Sequence, residues 1–305
     1  MKIAAIQMET ALGDVDANLE SARRLVKAAF EAGAEWVILP EFFPTAMGFS
    51  PKMDQAARPV DGEPARLLLD LARIHGGVVG GSFIARLGAD CVNRFILALP
   101  DGTSRFHDKD QPTMWENAYY VGGSDDGLFD TPVGAAGVAM CWEMVRSRTA
   151  RRLCGRVDLV VGGSCWWSLP EKRLPGFSPA LAARMERIME ATPAALARMV
   201  GAPVIHAAHA GRFSGRLPLV PGFPYDSHFL GETQIVDAHG RVLARRTRQE
   251  GEGFILAEVT PGRIEPRSPV PDRFWIPRIP WLIRLAWAYQ NAHGRRYYRR
   301  KNRPA

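Results

Sequence analysis

Short apolar runs alternate with helix-like segments along this chain, and that alternation restricts the fold more than any other feature. Ten runs have the length and composition of buried strands; they cover residues 2–8, 36–39, 77–84, 94–99, 133–140, 159–163, 204–208, 233–236, 242–245 and 253–259. Segments with apolar residues at helical spacing cover residues 16–32, 63–75, 145–154 and 192–200. The pattern predicts an α/β fold with helices on both outer faces of paired sheets.

The composition fits one catalytic domain followed by a tail. The chain has 305 residues, of which 47% are hydrophobic and 23% charged, as in globular proteins with a large core. The formal net charge is +7, but residues 266–305 alone contain ten Arg or Lys and one Asp, which leaves −2 for the rest. We predict a catalytic domain over residues 1–265 and a basic, aromatic-rich extension over residues 266–305.

Three potentially reactive side chains stand at the ends of predicted strands. Glu41 follows an apolar run and a proline, Lys109 follows Phe-His-Asp, and Cys141 closes a run of small and apolar residues. A buried cysteine taken alone is more often a small apolar side chain than a nucleophile. An acid, an amine and a thiol that all follow strands predict one shared pocket.

The sequence resembles the nitrilase superfamily of carbon–nitrogen hydrolases from Met1 to about Ile264. Five motifs occur in the family's order: the first strand Met-Lys-Ile-Ala-Ala-Ile-Gln, Leu39-Pro40-Glu41, the Lys109 loop, Val138-Ala139-Met140-Cys141-Trp142-Glu143, and residues 235–244. The resemblance implies a four-layer αββα sandwich, commonly dimerised so that the core becomes αββααββα. It also implies a catalytic triad of Glu41, Lys109 and Cys141, with no metal or organic cofactor. Glu116 falls where many members place a second structural or catalytic glutamate.

These residue types permit covalent hydrolysis. A cysteine thiolate attacks an amide or nitrile carbon better than water does and divides the barrier through a covalent intermediate. We expect Glu41 to act as general base, and Lys109 with the backbone N–H of Trp142 to stabilise the developing negative charge. The intermediate is a thioester from an amide, or a thioimidate from a nitrile.

The substrate class stays open on sequence alone. The Cys141-Trp142-Glu143 triplet is common in true nitrilases, whereas the following Met-Val-Arg-Ser matches neither that subgroup nor the aliphatic and ω-amidases. His209 also stands about where the family commonly has Asn. We expect hydrolysis of a small amide or N-carbamoyl compound. The alternatives are a nitrilase, an acyl transferase, and a non-catalytic scaffold or binding subunit with the same fold.

Aromatic residues near the predicted catalytic loops are candidates for the substrate pocket, although aromatic side chains are also common core material. The candidates are Trp142, Trp166, Trp115 and Tyr119.

His206 and His209 have the spacing of a metal pair, but no third ligand accompanies them, so structural roles are favoured. The other cysteines, Cys91, Cys154 and Cys165, lack a charged partner in the sequence and are expected to be inert.

Cysteine usage and the tail bear on location and partners. The cysteines show no zinc or redox spacing, the chain begins without a leader pattern, and no apolar run reaches about 18 residues, so we expect a cytoplasmic protein. Residues 274–289 interleave Trp, Leu and Ile with Arg, which suits either an anionic membrane surface or packing on a neighbouring subunit of a homodimer or larger homo-oligomer. Nucleic-acid binding is not expected.

Overall fold

The β-strands follow the apolar runs of the sequence. The computed structural model describes residues 1–171, 178–217 and 224–302. Within these residues the strands are β1 (Lys2–Glu9), β2 (Trp36–Ile38), β3 (Arg58–Pro59), β4 (Val78–Leu87), β5 (Asp90–Ala98), β6 (Ser104–Asp108), β7 (Leu128–Thr131), β8 (Gly134–Val138), β9 (Leu159–Ser164), β10 (Val204–Ala210), β11 (Arg212–Arg216), β12 (Pro224–His228), β13 (Gly231–Val236), β14 (Val242–Thr247) and β15 (Gly253–Glu258).

The helices begin and end where the local sequence favours it. They are α1 (Val15–Glu31), α2 (Glu63–His75), α3 (Ser147–Leu153), α4 (Pro179–Glu190), α5 (Thr192–Val200) and α6 (Trp281–Asn302), with 3₁₀ turns at Pro51–Gln55, Met114–Ala118, Cys141–Val145 and Arg248–Glu250. The Asp14 carboxylate accepts from the N–H of Ala17 and caps the start of α1. Gly76 ends α2 in the left-handed conformation, with φ of 64°.

Thirteen of the described strands pair into one sheet that has two halves, and β11 and β12 form a separate two-stranded sheet. The order is β6-β5-β4-β2-β1-β10-β9-β8-β7, and the strands from β4 to β8 run parallel. β1 pairs with β2 through residues 3–5 and with β10 through residues 7–9. β1 therefore passes from one half to the other, and β15 and β13 add antiparallel to β1 and β10.

Side-chain alternation along β1 reveals four layers. Ala4, Ile6 and Met8 pack with the buried faces of α1 and α2. Ile3 and Ala5 point to the opposite side, where the two halves of the sheet pack against each other. A further cluster joins the second half of the sheet to α3, α4 and α5. The α/β, four-layer αββα sandwich predicted above is confirmed.

Several elements differ from the sequence-based expectation. The helix expected over 145–154 begins only at Ser147, because the preceding residues form the 3₁₀ turn Cys141–Val145. Helix α4 and the β11–β12 hairpin had no predicted counterpart. Helix α6 begins after Pro280 and continues to Asn302, so it extends well beyond the aromatic segment of the tail.

Helix α6 packs on the body of its own chain. Asn291 accepts hydrogen bonds from the Met114 N–H and the Asn117 side chain at 2.8 and 3.0 Å. Gly294 permits this approach, since a Cβ there would lie 2.7 Å from the Cβ of Asn117. The tail predicted over 266–305 is thus joined to the domain at the Met114–Ala118 turn. Across the described ranges, none of the helices combines the length and apolarity required to cross a bilayer.

Candidate active site

The sheet brings three chain segments to one edge. β2 ends at Ile38, β6 at Asp108 and β8 at Val138. β2 and β8 belong to the parallel series, and β6 runs in the same direction because two antiparallel pairings separate it from β4. Since the carboxyl ends of parallel strands meet at one edge of a sheet, Glu41, Lys109 and Cys141 lie at the same edge.

Cys141 occupies a strained turn between a strand and a helix. It has φ of 50°, in the left-handed region that a non-glycine residue rarely adopts, and it is the first residue of the 3₁₀ turn Cys141–Val145. Trp142 is the second residue of that turn, where backbone N–H groups lack partners within the helix. The turn therefore places the thiol at the start of a 3₁₀ helix, next to the backbone N–H of Trp142.

Lys109 links two buried carboxylates. Its Nζ donates to Oε1 of Glu41 at 2.8 Å and to Oε2 of Glu116 at 2.7 Å. All three side chains are fully buried. One carboxylate oxygen of Glu41, one of Glu116 and the Sγ of Cys141 lie within 4.8 Å of one another. The structure thus brings together the four residues singled out as candidate catalytic groups in the sequence.

The same cluster contains three atoms of the types that bind metals. Among the described residues, Glu41, Glu116 and Cys141 each offer one ligand atom. The Lys109 ammonium already forms hydrogen bonds to both carboxylates. A metal cation there would face a second positive charge at close range, which opposes binding.

Glu41 is held by contacts that the sequence did not reveal. Its Oε1 accepts from Nδ2 of Asn93 at 2.9 Å, and its Oε2 accepts from the N–H of Cys165 at 3.2 Å. Nε2 of His209 lies 2.7 Å from the Glu41 carbonyl, which only accepts, so Nε2 carries the proton and Nδ1 accepts from the Thr10 hydroxyl. His209 thereby fixes the backbone of Glu41.

Glu116 is satisfied on one oxygen only. Its Oε2 accepts from Lys109, from the Thr113 N–H at 2.8 Å and from the Tyr120 hydroxyl. Its Oε1 is buried and has no hydrogen-bond partner within the described residues. An unpaired buried carboxylate oxygen is costly, and here it leaves hydrogen-bonding capacity unused in the cluster.

Burial governs the protonation of the site. It raises the pKa of Glu41 to about 7, against the lowering effect of Lys109 and with a further increase from Glu116. Burial also raises the pKa of the Cys141 thiol well above its usual value, with Glu41 adding to the effect. Burial alone would lower the pKa of Lys109, but Glu116 and Glu41 raise it well above its ordinary value. The thiol is therefore neutral at rest, next to a carboxylate that can take its proton and a lysine that stays charged.

A second buried network supports the Cys141 turn. Nδ1 of His107 lies 2.5 Å from Asp125 and Nε2 lies 3.1 Å from Glu143. Both partners are acceptors, so the ring carries both protons. Burial would lower the pKa of His107, but Glu143 and Asp125 raise it to about 9. Glu143 also accepts from the N–H groups of Met140 and Asp110, which ties the thiol turn to the Lys109 loop.

His206 is a neutral core side chain. Its Nδ1 lies 3.0 Å from the Glu232 carbonyl and its Nε2 lies 2.6 Å from the Ser164 hydroxyl. Burial lowers its pKa to about 4. The ring also packs against Trp166, with centroids 4.9 Å apart. Both ring nitrogens are therefore engaged by the surrounding protein.

A small cavity is lined by the residues that follow the buried cysteines Cys141 and Cys165. Trp142 and Trp166, each the neighbour of a buried cysteine, line it together with Met114, and its volume is about 80 Å³. The two other predicted pocket residues are not among those that line this cavity. Trp115 stacks on Trp167 at 4.2 Å, and the Tyr119 hydroxyl forms hydrogen bonds to the backbone of Ser50.

The sequence matches the carbon–nitrogen hydrolase family over residues 2–268. A nitrilase from Pyrococcus abyssi is 28% identical over 158 residues, which are 50% of this chain and 60% of that protein. An N-carbamoylputrescine amidase from Solanum lycopersicum is 29% identical over 162 residues, 50% of this chain and 53% of the relative. The chain thus spans little more than half the length of these two relatives. A 2-oxoglutaramate amidase from Bacillus subtilis is 26% identical over 262 residues, 84% of this chain and 90% of the relative.

Solved structures share the fold. A carbon–nitrogen hydrolase from Helicobacter pylori G27 superposes with a TM-score of 0.73 at 21% identity, covering 85% of this chain and 89% of that one. A variant of the amidase from Nesterenkonia sp. AN1 carries the acetamide moiety of fluoroacetamide on its active-site cysteine. It superposes with a TM-score of 0.65 at 19% identity, covering 90% of this chain and 93% of that one.

Proposed function

Because this chain belongs to the carbon–nitrogen hydrolase family, we propose that it hydrolyses a small amide or N-carbamoyl compound through a thioester on Cys141. The observation that carries the proposal is the buried Lys109 ammonium, bonded to Glu41 and Glu116 beside the Cys141 thiol. Burying a lysine and two carboxylates is costly. A catalytic use of the cluster accounts for that cost.

In the first half-reaction Glu41 takes the thiol proton while Sγ of Cys141 attacks the carbonyl carbon. Lys109 and the N–H of Trp142 face the oxygen on which negative charge develops, and each such donor contributes about 3 kcal/mol. The intermediate collapses as Glu41 returns the proton to the leaving nitrogen. The products of this step are the thioester and ammonia or an amine.

In the second half-reaction water replaces the leaving group. Glu41 takes a proton from the water as its oxygen attacks the thioester carbon, and the C–S bond then breaks. The acid leaves and the thiol recovers its proton. Glu116 holds Lys109 in place throughout, and its unpaired Oε1 gives it a second use in orienting the water or the substrate.

Amide hydrolysis is favoured over the alternatives by the relatives. The 2-oxoglutaramate amidase aligns over 84% of this chain, whereas the nitrilase from Pyrococcus abyssi aligns over 50%. A nitrile would form a thioimidate on the same cysteine and is the second candidate. Acyl transfer differs only in the nucleophile of the second half-reaction, and an added amine acceptor tests it. A scaffold role would leave the cluster unused.

Intact-protein mass spectrometry tests the proposal. Wild type, Cys141→Ala and Cys165→Ala are exposed briefly to simple amides, N-carbamoyl compounds, nitriles and fluoroacetamide, while ammonia release is recorded. We expect an adduct in wild type and in Cys165→Ala, which alters a second buried cysteine, but none in Cys141→Ala. Absence of both adduct and ammonia with every compound would instead support the scaffold role.

We also propose that the tail mediates contact between copies of this chain in the cytoplasm. Phe274, Trp281 and Leu285 are 48%, 71% and 56% exposed, and large exposed apolar groups mark contact surfaces. All four cysteines are free, as expected in a reducing compartment. Sedimentation velocity of Trp281→Glu should give a smaller species than wild type. Unchanged size, with loss of binding to anionic vesicles in the variant, would assign the surface to a membrane.

A further inference from the structure

The cavity lined by Trp142 and Trp166 has one wall made by the C-terminal helix. Ile283, Ala286 and Gln290 of α6 line it, and their spacing places them on one helical face. This helix lies beyond residue 268, where the family match ends. The wall is therefore a feature of this chain's own extension rather than of the matched domain.

Two residues that line the cavity each carry a buried, unpartnered polar atom. The indole Nε1 of Trp166 is a donor, and Oε1 of Gln290 is an acceptor; neither has a hydrogen-bond partner in the described parts of the chain. The two residues are only 3% and 6% exposed. Unpaired buried polar groups cost free energy, and a ligand that supplies one acceptor and one donor would remove that cost.

The other described residues of the lining offer little to a negatively charged group. It is mainly apolar, with Met114, Trp142 and Ile283 among its members. Glu186 lines it as well, bonded to the Ser168 hydroxyl at 3.0 Å. None of the described residues that line the cavity is a Lys, Arg or His. Among the described lining residues, a carboxylate bound here would meet one acidic side chain and no cation, which disfavours it.

We infer that this cavity is an acyl-group subsite in which Gln290 and Trp166 bind a neutral polar group that both donates and accepts, such as a carboxamide. The inference rests on the proposed function and names its substrate class: amides with a short apolar chain ending in such a group. A volume of about 80 Å³ holds about five water-sized groups, which matches a chain of about that many heavy atoms.

Three five-carbon amides that differ only at the far end test the subsite: glutaramide, pentanamide and glutaramate. Their binding is measured by calorimetry on full-length Cys141→Ala, which retains the cavity without turnover. We expect glutaramide to bind about tenfold more tightly than pentanamide, the value of one good hydrogen bond, and glutaramate to bind most weakly. Gln290→Met keeps the side-chain volume, and in the Cys141→Ala background it should abolish the preference for glutaramide while leaving pentanamide unchanged.

Gln249→Met, at an exposed glutamine, is the matched control and should change none of these affinities. Any of four outcomes would overturn the subsite. Glutaramide and pentanamide could bind equally, glutaramate could bind most tightly, or none of the three could bind. The fourth is a preference for glutaramide that survives Gln290→Met. Ammonia release by the enzyme with Cys141 intact is recorded separately. Gln290-dependent binding without ammonia release would retain the subsite and refute the proposed hydrolysis.

Discussion

Two buried charge networks begin two residues apart at the end of β6, and they differ in completeness. His107 donates from both ring nitrogens, to Asp125 and Glu143. Lys109 binds Glu41 and Glu116, but Oε1 of Glu116 lacks a partner within the described residues. The first network has its ring nitrogens satisfied and acts as structure. The second retains unused hydrogen-bonding capacity, which is what a reactive site requires.

The His107 and Lys109 networks also differ in the protonation of their side chains. In the His107 network the two carboxylates raise the pKa of the ring to about 9 despite burial, so its charge is fixed at neutral pH. In the Lys109 network, burial and Glu116 leave the pKa of Glu41 at about 7. Its proton therefore exchanges readily near neutrality, as general base catalysis needs.

Replacing the cation of each network is the strongest test of whether one network is catalytic and the other structural. Lys109→Met should lower kcat/KM for the preferred amide by about 10³-fold, because it removes a donor that stabilises negative charge in the transition state. The exposed Lys52→Met is the control and should be neutral. Steady-state kinetics with circular dichroism on each variant checks this. A loss below threefold in a folded Lys109→Met protein would refute the assigned role of Lys109.

His107 should instead affect stability, and in a pH-dependent manner. Its pKa is about 9 in the folded protein and about 6.5 when unfolded, so its stabilising contribution is complete below pH 6.5 and is lost as the pH rises through 9. Between pH 7 and pH 9 this contribution should fall by about 2 kcal/mol. Urea unfolding at both pH values compares wild type with His107→Gln, in which that part of the change should disappear. An equal pH dependence in both proteins would contradict the charged imidazole.

The position of the site could be predicted from sequence because the strands themselves determine it. Glu41 and Cys141 each follow an apolar run, and Lys109 follows β6, so the carboxyl ends of strands bring them together. The supports of Glu41 could not be predicted. Asn93 lies within β5 and His209 at the end of β10, and neither has a local pattern that distinguishes a catalytic support from an ordinary buried polar residue.

The contribution of the extension to the site could not be predicted from its sequence, for a physical reason. Its Arg and Trp content suited a surface, and some of those residues, such as Trp281, are indeed exposed. The face of α6 that matters to the site instead carries Gln290, Asn291 and Gly294. These are small or polar residues without apolar periodicity. The contact with the Met114–Ala118 turn gives Asn291 and Gly294 their role, and the cavity gives Gln290 its role.

Asn291 tests whether the tail supports the Lys109 network. Asn291→Leu removes the acceptor for the Met114 N–H and leaves that donor buried without a partner. We expect a loss of about 1–2 kcal/mol in the free energy of unfolding. The decrease in kcat relative to wild type should also be larger in Asn291→Leu than in Arg296→Ala, which changes an exposed position on the same helix. Wild-type kcat in the variant would show that the turn carrying Glu116 does not depend on α6.

The pH–rate profile gives the smallest and most specific change. Glu41 must be ionised to accept the thiol proton, so kcat/KM should rise with pH and be half-maximal near the Glu41 pKa of about 7. Glu116 contributes to that value because its negative charge disfavours a second one nearby.

Glu116→Gln removes this like charge and should therefore lower the pKa of Glu41. The rising limb of the profile should move to lower pH by about one unit, or about 1.4 kcal/mol in proton affinity. Asp54→Asn, a carboxylate outside the cluster that contacts Lys301, is the control and should leave the limb in place. If the limb disappears in Glu116→Gln while Glu41→Gln retains it, the base is Glu116. In that case the proton goes to the unpaired Oε1 of Glu116. It does not go to the Oε1 of Glu41, which accepts from Asn93 and Lys109.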